Sequence, residues 1–126
     1  PKAIFLKTDS PAKILSNRKK NMLFYLTTFE TSTGAIKSVA ESGSAFAIPI
    51  SVLLNKSGTP RAVLISKMRN FVRFCKKYGA NFFLCTLAER EIELRNAREL
   101  IGFGELLGLT ENESREKMKV LKGILE

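Results

Sequence analysis

The chain has 126 residues, 44% of them hydrophobic and 26% charged, which suits one globular domain around one core and excludes a disordered chain. It carries 21 Lys and Arg against 12 Asp and Glu, a formal net charge of +9, with two cysteines and no histidine. Two cysteines without histidine cannot complete a zinc site of the usual nitrogen and sulfur type, and no apolar run approaches the ~20 residues of a membrane span.

In chain order, Ala3 to Leu6 reads as a short strand, and Asp9-Ser10-Pro11 opens a helix that runs to about Lys20, with Ile14 and Leu15 inward. Arg18, Lys19 and Lys20 close that helix as a basic cluster, an arrangement the helix dipole also favours. Met22 to Thr27 is a second strand, and Ser32 to Glu41 a short helix capped by Ser32 or Thr33. Ala45 to Ile50 and Phe82 to Cys85 are apolar without interruption by charge, as strands buried on both faces are. Pro49 stands near the end of its strand, where a missing N–H is tolerable. Asn55 to Gly58 forms a loop.

Between those two strands lies the most basic helix of the chain. Thr59 is its expected N-cap, Pro60 its first turn and Gly79 the residue past its end. At about 100° per residue, Leu64, Ile65, Met68, Phe71, Val72, Cys75 and Tyr78 share one face. Arg69, Arg73, Lys76 and Lys77 gather opposite, flanked by Arg61 and Lys67. No acid occurs between Thr59 and Gly79, so the pairs that usually relieve such a face are absent from the helix itself. The face is either a solvated cationic surface or a polyanion-binding one. The whole chain is lopsided in the same sense: residues 1–79 hold fourteen Lys and Arg against three acids, and residues 80–126 hold seven against nine.

After Thr86 the charges alternate, and a helix follows from about Ala97 to Leu107, with Gly108 just past its end. Thr110 and Glu113 have capping-box spacing and open a last helix, Glu111 to Leu125, with Met118, Leu121 and Leu125 inward. Strand and helix alternate four times before this terminal helix, the pattern of a parallel sheet with right-handed crossovers. The expected fold class is therefore α/β, parallel βα units around about four strands, helices outside, in a single domain spanning residues 1–126.

Function in such folds gathers where strands end at their C-termini. Those ends carry Thr27, Thr28 and Glu30, then Ser51, then Thr86, Glu89 and Arg90. No Gly-rich phosphate loop, nucleophile elbow or exposed attacking cysteine accompanies them. Gly102 and Gly104 suggest close helix packing. Glu30 and Glu89 are either an acid and base or solvated carboxylates. Cys75 and Cys85 read as buried small hydrophobes of a reducing compartment, and the expected location is cytoplasmic, without a membrane.

Residues Ser44 to Leu109 resemble ribonuclease P protein component 3, the archaeal relative of a eukaryotic ribonuclease P and MRP subunit. The resemblance rests on Ser44 ahead of Phe46 and Ile48-Pro49, Arg61, Met68-Arg69 with Val72, and Lys77-Tyr78-Gly79. It continues through Leu94-Arg95-Asn96-Ala97-Arg98-Glu99-Leu100 and Leu106-Leu107-Gly108-Leu109 with Thr110 and Glu113. It covers about two-thirds of the chain well, and it implies a TIM-barrel-like fold without metal-binding histidines. A full barrel has eight strands and about 250 residues, so this chain resembles the C-terminal part of the family barrel, a partial sheet with open edges.

The resemblance also implies a non-catalytic subunit that assists the catalytic RNA in removing the 5′ leader of precursor tRNA. The implied partners are ribonuclease P RNA, precursor tRNA, component 2 and the other component proteins, with a homo-oligomer through the open sheet edges as a further expectation. No cofactor is expected on the protein, and magnesium is expected with the RNA. Carried over by position, Arg61, Arg69, Arg73, Arg95 and Arg98 are the expected phosphate or partner contacts, followed by Lys67, Lys76 and Lys77. For Arg95 and Arg98, pairing with Glu91, Glu93 or Glu99 is the competing reading. An α/β phosphoesterase-like enzyme, or an interaction module docking an acidic partner, are the alternatives for the chain as a whole.

Overall fold

A computed structural model describes residues 4–17, 22–54, 56–88, 91–93 and 97–125. Five strands, β1 (Ile4–Thr8), β2 (Met22–Leu26), β3 (Ala45–Pro49), β4 (Asn81–Ala88) and β5 (Glu91–Glu93), lie in one sheet in chain order. The first four are parallel, with Ile4 beside Met22, Phe24 beside Phe46 and Phe46 beside Phe82. Sequential parallel order with helical crossovers between β1, β2, β3 and β4 is the layout of a barrel wall. The helices are α1 (Pro11–Leu15), α2 (Thr33–Ser42), α3 (Ser51–Leu54), α4 (Gly58–Tyr78), α5 (Ala97–Leu106) and α6 (Glu111–Leu125).

Every residue of β2 and β3 is buried, as their uninterrupted apolar sequences require. One face of the sheet meets α4 through an aromatic stack. Phe46 and Phe71 stand edge to face with centroids 4.8 Å apart, and Phe71 meets Phe29 the same way at 5.7 Å, the geometry ring quadrupoles favour. Met68, Val72 and Cys75 complete the buried stripe of α4, with Leu64, Ile65 and Tyr78 at its half-buried margins. The helical periodicity therefore assigns this face correctly.

Four local expectations are corrected. Helix α1 ends at Leu15, well before Lys20, because Ser16 Oγ and Asn17 Nδ2 both donate to the Lys13 carbonyl, at 3.0 and 2.7 Å. Side chains that compete for backbone acceptors end short helices. Arg18, Lys19 and Lys20 lie outside the described residues. A short helix, α3, follows β3 directly, anchored by buried Leu53. Helix α4 begins at Gly58, behind Ser57 rather than Thr59, though Gly58 has φ +61° and regular helical geometry starts only after it. Finally, β4 runs on to Ala88 and β5 returns antiparallel, pairing Thr86 with Glu93 and Leu87 with Ile92.

Candidate nucleic-acid interface

Helix α4 is fixed at both ends. At its C-terminus Gly79 adopts φ +74°, which lets the Ala80 N–H reach the Cys75 carbonyl at 2.9 Å. Near its N-terminus, half-buried Arg61 donates from Nη1 to the Leu53 carbonyl, 3.1 Å away, and so ties α3 to α4. With Met68, Phe71, Val72 and Cys75 held inward, Ser66, Lys67, Arg69, Asn70, Arg73, Lys76 and Lys77 are all exposed.

This outer face is sculpted rather than flat. A cavity of about 440 Å³ on its crest is lined by Ile65, Ser66, Arg69, Asn70 and Arg73, with Ala62 at its edge. Arg69 and Arg73 also line a second, of about 250 Å³, with Lys76 and the Leu107-Gly108 turn. On the other flank Asn70 is shared with a third, of about 410 Å³, formed by Lys67 and the loop from Thr28 to Ser32. The three hollows thus cross α4 from the β2–α2 loop to the α5–α6 turn through shared residues.

Small residues pack α5 closely on α6 and β4, and an ion pair joins this side to α4. A Cβ on Gly104 would collide with the Ser114 hydroxyl, come to 2.9 Å from Ser114 Cβ and to 3.1 Å from Leu84 Cδ1. Gly104 therefore serves the close packing expected of it, whereas nothing lies within 4 Å of a Cβ at Gly102. Thr110 and Glu113 form the expected capping box, with the Thr110 N–H donating to Glu113 Oε1 at 3.0 Å and the Glu113 N–H to Thr110 Oγ1 at 3.1 Å. Glu113 Oε2 also meets Lys76 Nζ at 2.6 Å. That Lys76 hydrogen bond, then the Thr110 N–H, holds the Glu113 carboxyl down at about 2.

Lys76 is accordingly a tether between α4 and α6 as well as a surface cation. Arg69 and Arg73 make no ion pair with any described residue. Lys77 lies 5.4 Å from the Tyr78 ring centroid, and Lys37 of α2 lies 5.2 Å from the same ring. Sequence reasoning missed Lys37, because nothing in the chain order links it to α4. Arg98 is exposed on α5 and lines none of the three hollows. Arg95 lies outside the described residues, as do Glu89 and Arg90.

On the opposite flank the β2–α2 loop is set by Phe29. Its φ of +51° is costly for an aromatic residue, and it is held by burial against Phe71 and Tyr25 and by its N–H to the Leu26 carbonyl at 3.1 Å. Glu30 is exposed beyond it. Cys75 and Cys85 are both buried, and burial pushes each thiol up to about 12, so neither is an effective nucleophile near neutral pH. Beside the Glu30 carboxylate, the groups on this surface are guanidinium, ammonium, amide and hydroxyl groups, the types that can neutralise and orient a polyanion.

Residues 12–126 match the family RNase P subunit p30. The chain belongs to that family. Among p30 relatives, ribonuclease P protein component 3 of Methanosarcina acetivorans is 30% identical over 97 residues, covering 74% of this chain and 41% of that protein. The protein of the same name from Methanosarcina mazei is 29% identical over 97 residues, with the same coverage. A chain in a cryo-EM structure of archaeal ribonuclease P with mature tRNA superposes with a TM-score of 0.77 at 18% identity, covering 98% of this chain and 56% of that one. That likeness establishes the fold, a partial TIM-barrel-like sheet with its helices outside. The chain spans about two fifths of the length of the curated relatives it matches.

Proposed function

We propose that this p30-family chain acts in a protein subunit of ribonuclease P, supporting the catalytic RNA as it removes the 5′ leader from precursor tRNA. Residues 1–126 correspond, in this reading, to the C-terminal part of the family barrel. The observation that carries it is the acid-free α4 crest, where Arg69 and Arg73 stand one turn apart and exposed with no ion pair among the described residues, in a chain of this family. The named ribonuclease P relatives and the archaeal ribonuclease P chain of like fold support it.

The protein's part is to neutralise phosphates and position RNA; bond cleavage belongs to the RNA and its magnesium. Its partners are ribonuclease P RNA, precursor tRNA, component 2 and the other protein components. Arg69 and Arg73 are the principal phosphate contacts, Lys67 and Lys77 flank them, and Lys76 contributes while bridging to Glu113. Arg61 acts from beneath, through its bond to Leu53.

The test is reconstitution with ribonuclease P RNA and the other proteins, using Arg69→Ala together with Arg73→Ala. Cleavage at low magnesium falls, and the log–log salt slope of RNA binding shrinks by about 1.4–1.8, the share of two phosphate contacts. Unchanged cleavage and an unchanged slope overturn the proposal.

A further inference from the structure

The cavity beneath the β2–α2 loop differs chemically from the crest beside it. The crest offers cations and amides, which engage the phosphates that RNA and DNA share. The cavity adds an exposed carboxylate, Glu30, and the hydroxyls of Thr31 and Ser32, over the buried ring of Phe29, while Lys67 and Asn70 of α4 close the other wall. At about 410 Å³ it is too large for a lone phosphate and of the size a nucleotide fills. Asn70 belongs both to this cavity and to the hollow that holds Arg69 and Arg73. The two hollows therefore adjoin, so a strand whose phosphates lie on those arginines has room to continue into the cavity.

A carboxylate does nothing for a phosphate and repels it, but it accepts readily from a sugar hydroxyl. The ribose 2′-hydroxyl both donates and accepts, and it is the group by which a protein distinguishes RNA from DNA at a given site. We infer that this cavity receives one ribonucleotide of a bound strand, phosphate toward Lys67 and Asn70 and 2′-hydroxyl toward Glu30 and Thr31, and is where the chain tells RNA from DNA. The inference rests on the reading of the α4 face as an RNA-binding surface.

Fluorescence anisotropy of the whole chain at low salt tests it, with a short labelled single-stranded RNA and the DNA of the same sequence. The unaltered chain binds the RNA about 3- to 10-fold more tightly, the size of one net hydrogen bond. Glu30→Ala with Thr31→Ala brings that ratio to about one. Both residues are exposed and neither caps a helix, and an unchanged melting curve verifies the fold. Lys67→Ala weakens both strands and leaves the ratio in place. Equal binding of RNA and DNA by the unaltered chain, or a preference that survives the double substitution, overturns the inference while the RNA-binding reading stands. Failure to bind either strand overturns both.

Discussion

Gly104→Ala, paired with Gly102→Ala, tests the packing that brings the α5–α6 turn beside the basic helix. Both glycines lie inside α5, so each substitution gains about 1 kcal/mol of helix propensity. At Gly102 nothing opposes that gain, because no atom lies within 4 Å of the new methyl. At Gly104 the methyl meets the Ser114 hydroxyl, Ser114 Cβ at 2.9 Å and Leu84 Cδ1 at 3.1 Å. Ser114 and Leu84 are fully buried, so no solvent-facing rotamer relieves the clash. Overpacking of this kind costs about 3 kcal/mol, leaving a net loss of about 2 kcal/mol after the propensity gain. In a domain of this size 1 kcal/mol shifts the melting temperature by about 4 °C. Thermal unfolding followed by circular dichroism should therefore place Gly102→Ala about 4 °C above the unaltered chain and Gly104→Ala about 8 °C below it. Equal shifts of the same sign at the two sites would refute the argument, since propensity alone would then account for both.

Three further outcomes follow from buried or paired groups. The Glu113 carboxyl ordinarily titrates near 4.5 and is held at about 2 in the fold by Lys76 and Thr110. Its contribution to stability is thus fully present above pH ~4.5 and is lost as the pH falls toward 2; urea midpoints measured across that range should fall less steeply for Glu113→Gln. Cys75 and Cys85, with thiols near 12, should resist a disulfide reagent at pH ~8 in the native state and react fully in denaturant. Ser114 Oγ is buried with no hydrogen-bond partner among the described residues, so Ser114→Ala should raise stability by about 1 kcal/mol or more in urea unfolding. A loss of stability there would show that the hydroxyl is satisfied.

The parallel sheet and the inward stripe of α4 were legible because burial on both faces writes itself as unbroken apolar sequence, as in Ala45 to Pro49 and Phe82 to Cys85. Helix signals held where the residue itself makes the cap, as with Ser32, Gly79 and the Thr110–Glu113 box. They failed where side chains compete with the backbone, at Ser16 and Asn17, and where an element is too short for its period to register, as in α3. The β5 strand was present in the alternation Glu91-Ile92-Glu93, but three residues do not outweigh a run of charges. The cationic face could be laid out by angle alone. What could not be read was which cation had a partner. Glu113 lies 37 positions beyond Lys76 in the chain, and Lys37 meets Tyr78 from another helix; only the folded arrangement brings them together.

That distribution explains why the crest stays open. The acids of the chain are concentrated after residue 80, and the fold sets α5 and α6 against one flank of α4. A uniform approach of those helices would neutralise the basic face. Instead, Gly104 packs α5 on α6 and β4, and Glu113 is turned toward Lys76 while fixed by its own capping box. Glu111, one turn from Arg115, pairs with it at 3.2 Å within α6. The result is a helix whose lower flank is anchored by one charge pair while Arg69 and Arg73 face the solvent. Their mutual repulsion is relieved by no acid among the described residues, which is what the proposed role in binding phosphates requires.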